Sequence, residues 1–258
     1  MKKLLDAKII FKVRHSEWVS NLVPVRKKSR EIRLCVDFRN LNRASNKDNY
    51  PVPPMEHILQ MVLGSELFSL LDGFSGYNQV LVAEEDRLKT TFRTKWGTFV
   101  YRRMPFGLIN DGADFERAMD IAFHGLIGRI VVVYLDDITI FSKKREEHAF
   151  HLKQNFERCR KYGISLNPRK CVFAVIEGKL LGHIVSKKGI SIDPERIKAI
   201  EQIPLPHNKK CMQSFKGTIN FVRRFVLDFA QIVKPLQQMV KQSVQFKWTD
   251  VEKNDSVR

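Results

Sequence analysis

Long apolar runs are missing from this sequence. No stretch reaches the ~18 consecutive apolar residues of a membrane span. The N-terminal MKKLLDAKIIF is interrupted by Asp6 and Lys8, so it fails as a secretory signal. Cysteine is scarce too. Cys35, Cys159, Cys171 and Cys211 form no CxxC pair, and no His stands at zinc-finger spacing from them. That excludes a zinc finger and a disulfide scaffold, and free thiols fit a reducing compartment. Acid is in short supply, with 28 Asp+Glu against 45 Lys+Arg and a net charge of +17. A surplus of that size, spread along the chain, fits a partner with a phosphate backbone. An anionic membrane surface is the competing partner, but no amphipathic anchor with a cationic face accompanies it. There is no internal repeat and no low-complexity linker. What is present is a chain of 258 residues, 43% apolar, enough to bury the core of one large domain or two small ones.

The most informative stretch is IVVVYLDDITIF, residues 130–141, where two adjacent aspartates interrupt β-branched runs. The pattern predicts strand, turn, strand. Asp is an ordinary turn residue. Asp-Asp is nevertheless a poor match to the positive-φ turns that two-residue hairpins favour. Two neighbouring carboxylates also raise each other's pKa unless a cation sits between them. A turn and a metal site are both open at this point.

Along the chain, residues 1–20 read as a short amphipathic helix leading into an extended segment. Residues 22–42 read as two strands around a basic turn. The prolines of YPVPP keep residues 50–54 extended. A helix follows, with Ile58, Met61 and Val62 on one face. LFSLLDGFSGYNQVLV gives a strand and a glycine-flanked break, and a hairpin turns near Trp96-Gly97. Phe115, Met119 and Phe123 mark the next helix. After the Asp-Asp hairpin, Ser142 is expected to cap a helix over 143–162 with Leu152, Phe156 and Cys159 inward and Gly163 at its end. Asp193 and Pro194 open another helix. Met212, Phe215, Ile219, Val222 and Val226 predict one continuous helix over 211–230. Strands and helices alternate with hairpins, which predicts an α+β fold. The mostly helical last third predicts a subdomain beginning near residue 192.

Asp72 ends the apolar run Leu67–Leu71 as Asp136 ends Ile130–Leu135. If those strands are neighbours, Asp72, Asp136 and Asp137 converge at one sheet edge. Carboxylates without His or Cys suit a hard cation, Mg²⁺ or Mn²⁺. Two such ions form the clamp for in-line phosphoryl transfer. On spacing alone, Asp72 reads equally well as a turn cap.

Four stretches then stand in order: CVDFRNLN at 35–42, LLDGFSGYNQ at 70–79, RRMPFGLIN at 102–110 and YLDD at 134–137. SLNPRKCVF, LLGHIVS and INFVRRF continue the series. Together they resemble the reverse transcriptase domain of gypsy-type LTR retrotransposons over nearly the whole chain. The resemblance implies a right-hand polymerase: fingers at 1–47 and 80–107, a palm at 48–79 and 108–191 whose ferredoxin-like antiparallel sheet carries the Asp triad, and a helical thumb with the start of the connection at 192–258.

It also implies residue roles. Asp72, Asp136 and Asp137 resemble the acids that hold two Mg²⁺ or Mn²⁺ ions. Tyr77 falls where the family places an aromatic against a ribose 2′-hydroxyl, and Phe106 where it lies under the incoming nucleotide. Lys27 and Arg33 fall where the triphosphate is gripped. Lys170 resembles a lysine that protonates the leaving pyrophosphate. Gly182 and His183 resemble the primer-grip turn, and Arg223 and Arg224 are expected on a thumb helix that contacts phosphates. Read without the resemblance, each has a plainer role: Tyr77 and Phe106 as core aromatics, His183 as a structural histidine, and the lysines and arginines as solvated charge. The implied partners are a primed RNA or DNA template and dNTPs, with room for a homodimer. The implied setting is intracellular, a cytoplasmic virus-like particle.

The sequence departs from the family in two places. The family pattern after PFGL is N-A-[PG]-A-T-F-Q; here residues 110–116 are NDGADFE, so Asp111, Asp114 and Glu116 stand where the pattern has no acid. Beside a nucleic-acid surface they are expected to weaken phosphate binding, although acids suit a helix N-terminus. The fingers turn also reads SREI where the family prefers Asp-Gly-[ST]-Trp. The chain is expected to begin inside the usual domain and to stop before RNase H. An inactive relic that only binds nucleic acid and an RNA-dependent RNA polymerase are the rival readings.

Overall fold

The computed structural model describes residues 1–26, 32–73, 76–135 and 137–240, with the backbone alone at Arg33. In chain order the elements are α1 (Lys2–Asp6), β1 (Ile10–Val13), β2 (Ser20–Arg26), β3 (Ile32–Val36), α2 (Arg39–Ala44), α3 (Met55–Val62), β4 (Leu67–Asp72), α4 (Glu84–Arg87), β5 (Phe92–Thr94), β6 (Gly97–Tyr101), α5 (Asp111–Ala122), β7 (Val131–Tyr134), β8 (Asp137–Ser142), α6 (His148–Tyr162) and β9 (Val172–Val175). They continue as β10 (Glu177–Leu180), β11 (His183–Ser186), β12 (Gly189–Ile192), α7 (Pro194–Glu201), α8 (Lys209–Ile219) and α9 (Phe229–Gln238). Two compact units result. One comprises Met1–Gly178 with Val185–Gly189; the other comprises Lys179–Ile184 with the chain from Ile190. Among the described residues no helix is long and apolar enough to cross a membrane.

The first unit holds two sheets. One runs β1-β6-β5-β2-β3 over a core of Ile10, Val36, Phe38, Phe92, Phe99 and Tyr101. The other runs β7-β8-β4-β9 with every pairing antiparallel. β4 and β8 read as nearly continuous apolar runs because both faces of this sheet are covered. Val131, Val133, Ile138 and Ile140 meet Phe115 and Met119 of α5 and Cys159 of α6 in one buried cluster. α3 lies against β7 and buries Ile58, Leu59 and Val62.

Two expected helices differ from expectation. Ser142 is no cap: it stays in β8 opposite Leu67. Its Oγ hydrogen-bonds His148 Nδ1 at 2.8 Å and His151 Nδ1 at 2.7 Å. α6 therefore starts at His148 after a short 3₁₀ turn, and Gly163 ends it in the left-handed conformation, φ 68°. Its buried face is His148, Asn155 and Cys159 rather than Phe156, which is 37% exposed. Polar residues are buried there because Ser69 Oγ takes the other ring nitrogen of His148 at 2.8 Å and accepts from Ala174 N–H at 3.0 Å. Ser142 and Ser69 thus bracket the imidazole, one hydroxyl at each ring nitrogen.

The helix expected over 211–230 breaks. α8 ends at Ile219, a 3₁₀ turn covers Asn220–Val222, and Asp228 is left-handed before α9. Met212, Phe215 and Ile219 pack toward Val233 and Leu236 of α9. Phe221 instead stacks on His183, with centroids 4.5 Å apart. Residues 219 and 221 point about 200° apart on a straight helix, so one helix cannot serve both contacts.

Candidate active site

Carboxylates collect at one end of the four-stranded sheet. In the β4–β8 ladder Asp72 is directly opposite Asp137, and in the β7–β8 ladder Tyr134 is opposite Asp137. The Asp-Asp pair is therefore not itself the break between the strands, because Asp137 already belongs to β8. Positive φ falls on Leu135, at 52°. That conformation is unfavourable for a residue with a Cβ, by roughly 1–2 kcal/mol. Asp136 lies outside the described residues. Among those described, no group of three His, Cys, Asp or Glu side chains forms a metal cage. The structure brings Asp72 and Asp137 together.

Directly opposed strand residues have Cβ atoms about 5 Å apart, so the two carboxyls feel each other. The Asp137 carboxyl is held above the usual carboxylate range, first by its low-dielectric surroundings and then by Asp72, while Lys170 pulls it down. Lys170 Nζ lies 3.0 Å from Asp72 Oδ2. A tight turn places it: Asn167 N–H donates to Asp72 O at 2.9 Å and Lys170 N–H to Asn167 O at 3.0 Å. A second clamp holds this turn to the segment of Tyr77. Gln79 donates from Nε2 to Ser165 O at 3.0 Å and accepts from Ser165 N–H at 2.6 Å. Nothing in the sequence pattern marks that pair.

Tyr77 sits in a 3₁₀ turn, Gly76–Gln79, with its ring edge-on to Phe106 at 4.8 Å and to Phe115 at 5.2 Å. Phe115 is core, whereas Phe106 is 38% exposed. The aromatic group is thus anchored on one side and open on the other.

The acids expected to face nucleic acid have internal partners. Asp111 Oδ2 accepts from Gly107 N–H at 2.9 Å and pins the PFGL turn, where Gly107 has φ 97°. Asp114 pairs with Arg117 at 3.2 Å, and Arg117 also reaches Asp48 at 2.5 Å. Burial raises the Asp114 carboxyl. Glu116 is 1% exposed. Burial pushes its carboxyl up to about 7, and the Leu135 N–H, 3.4 Å from Oε2, pulls the other way.

The remaining predicted residues lie elsewhere. Lys27 is outside the described residues, and Arg33 is placed by its backbone in β3, opposite Val25. In the second unit Gly182 (φ 77°) turns the chain into β11, and His183 is fully buried with Nδ1–H donating to Leu181 O at 3.1 Å. Arg223 and Arg224 follow the 3₁₀ segment in a turn, not on a helix, because the chain leaves helical geometry to seat Phe221. A Cβ at Gly182 would stand 3.0 Å from Phe221 Cζ, and the Arg196 guanidinium lies 4.2 Å from that ring's centre. Gly182→Ala is expected to destabilise the second unit by about 2 kcal/mol through strain and crowding. Urea unfolding followed at a fluorophore placed in that unit reads it. An unchanged midpoint would show that the turn relaxes freely.

Known proteins resemble this chain throughout. The family model described as "Reverse transcriptase (RNA-dependent DNA polymerase)" matches residues 25–185. The retrovirus-related Pol polyprotein from transposon 412 of Drosophila melanogaster is 33% identical over 256 residues, 97% of this chain and 21% of that polyprotein. The counterpart from transposon gypsy of the same fly is 37% identical over 209 residues, 81% of this chain and 20% of the polyprotein. The chain thus spans about a fifth of the length of these relatives. Among solved structures, the foamy viral protease-reverse transcriptase dRH in complex with double-stranded DNA superposes with a TM-score of 0.88 at 24% identity. It covers 98% of this chain and 46% of that one. The foamy viral protease-reverse transcriptase in complex with RNA/DNA hybrid gives 0.83 at 24%, covering 99% and 35%. These likenesses show the fold.

Proposed function

This chain belongs to the reverse transcriptase (RNA-dependent DNA polymerase) family, and from that premise we propose that it extends a primer 3′-hydroxyl with deoxynucleotides on an RNA or DNA template. The observation that carries this is the cross-strand pair Asp72–Asp137 at a sheet end, with Lys170 3.0 Å from Asp72. The donor set fits hard divalent ions: carboxylates without His or Cys, one of them raised by burial and then by its neighbour's charge. Asp72 and Asp137, together with Asp136, would hold two Mg²⁺ or Mn²⁺ ions, which when bound would lower the pKa of the attacking hydroxyl and neutralise the departing pyrophosphate.

The rest is done by the chain's own residues. The primer 3′-oxygen attacks the α-phosphorus, the bond from that phosphorus to the β-bridging oxygen breaks, and the hydroxyl proton passes to solvent. Lys170 leaves Asp72 and gives its Nζ proton to the pyrophosphate. Tyr77, held against Phe106 and Phe115, limits the space at the ribose 2′ position, and exposed Phe106 forms the floor under the nucleotide. Lys27 and Arg33 grip the triphosphate. Gly182, His183, Arg223 and Arg224 serve the primer-template backbone without reading sequence. In this reading residues 1–47 and 80–107 are fingers, 48–79 and 108–191 palm, and the chain from 192 thumb. The setting is intracellular, and self-association as a homodimer is compatible with it. The surplus of +17 supports a polyanionic partner.

The test is primer extension with an RNA template, an annealed DNA primer, dNTPs and Mg²⁺ or Mn²⁺. Metal-dependent extension that prefers dNTPs to rNTPs supports the proposal. Salt-sensitive duplex binding without extension under either metal sinks it and leaves a domain that only binds nucleic acid.

A further inference from the structure

The turn at Leu135 has an unfavourable backbone conformation, and something must hold it. One face of α5 lies beneath it. Glu116 Oε2 accepts the Leu135 N–H at 3.4 Å. One helical turn earlier lies Gly112, where a Cβ would stand in ordinary contact with Leu135 Cδ2 at 3.7 Å and with the Tyr77 hydroxyl at 3.9 Å. Gly112 and Glu116 are four residues apart, so they share a helix face. That face touches both the aromatic at the nucleotide side and the apex of the hairpin that carries the acids.

A buried carboxyl is an expensive choice for this position. A leucine would fill the space without a charge to desolvate. A carboxyl has one capability that leucine lacks, an oxygen that accepts a hydrogen bond. The oxygen is therefore the feature the hairpin requires, and it is aimed at a backbone N–H that a left-handed residue turns out of the β-ladder.

We propose that Glu116 is a positioning residue of the nucleotidyl-transfer site: its carboxyl holds the Leu135 N–H and so fixes the left-handed residue two positions before Asp137, the acid that β8 presents opposite Asp72. This rests on the polymerase reading above. It assigns Glu116 no contact with substrate, so its effect falls on the geometry of the acids and hence on the rate of the chemical step.

The test compares the wild-type chain with Glu116→Gln, which keeps an acceptor oxygen, and Glu116→Leu, which does not. Single-nucleotide incorporation is expected to lose roughly tenfold or more in kcat in the leucine variant, with KM for the dNTP within about twofold. The glutamine variant is expected to retain kcat within about threefold. A merely structural residue would lower the melting temperature without this split, whereas both variants are expected to melt at or above the wild type. Hydrogen exchange at the Leu135 amide gives a readout independent of activity. It is expected to accelerate roughly five- to tenfold in the leucine variant and to stay slow with glutamine, while Ile138 and Ile140 amides are unchanged. If the wild type extends no primer but the Leu135 amide responds this way, the positioning role stands and the polymerase reading fails. An unchanged Leu135 amide in the leucine variant, or kcat within about twofold of wild type in an active protein, overturns the proposal.

Discussion

Asp72→Asn is expected to lower primer extension by roughly a thousandfold or more while the protein stays folded. Asn keeps the size of the side chain at the end of β4 but removes the charge that lies opposite Asp137. Two consequences follow from the geometry. Cation affinity falls because one of the opposed carboxylates is gone. The Asp137 carboxyl also loses a like-charged neighbour, so its pKa drops toward the ordinary range. Lys170 loses its charged partner at 3.0 Å, but its own side of that pair is exposed and the pair contributes little to stability. Single-turnover incorporation measures the first effect and thermal unfolding controls for the fold. Extension within tenfold of wild type, with folding intact, would mean that the chemistry is not centred on this pair.

Stability is expected to fall as pH rises from about 4.5 to about 7, and Glu116 is the reason. Burial raises its carboxyl from an ordinary 4.5 to about 7 in the folded chain. Between those values the folded state keeps a proton that the unfolded chain has released. The stabilisation is fully present below 4.5 and is lost as pH passes through the folded value. Glu116→Gln carries no such proton. The two proteins should therefore be similar at pH 4.5 and diverge above it, with the variant more stable at pH 8 by on the order of 3 kcal/mol. Urea denaturation of both proteins at pH 5 and pH 8 reads the gap. A constant difference across that range would show that Glu116 is ionised at both ends and that solvent reaches it.

Much of this was legible from residues alone. β4 and β8 show as apolar runs ending in acid because a sheet buried on both faces tolerates little else. Placing Asp72 at the same sheet edge as the Asp-Asp pair needed only the assumption that the strands are neighbours; that Asp137 is the one opposite Asp72 is set by the ladder register. Gly163 and Asp193–Pro194 marked their helix boundaries because their backbone preferences are local. The misreadings share a cause: a tertiary contact overrode local preference. Ser142 resembles a cap, but His148 and His151 claim its hydroxyl. The spacing of Val222 and Val226 suggests a helix, but His183 draws Phe221 and Phe225 to the opposite side. The left-handed turn at Leu135 was hidden because Leu is not a residue that signals positive φ. The acids at 111, 114 and 116 carried charge in the sequence but not the identity of their partners, which lie at Gly107, Arg117 and Leu135.

The hydroxyl of Ser69 has a role beyond the histidine it faces. Between the paired positions Phe68–Val175 and Leu70–Val172, β4 has one residue and β9 has two, and the left-handed Ala174 (φ 52°) takes up the extra length. Its displaced N–H would be orphaned without Ser69 Oγ. β9 is the outermost strand of its sheet, and Val172, Phe173 and Ile176 are all about half exposed or more. A flat apolar edge of that composition is a template on which a second chain can add a strand. The bulge twists the edge and breaks its hydrogen-bonding rhythm. One serine hydroxyl thereby supports an irregularity that makes this edge a poorer template for another strand.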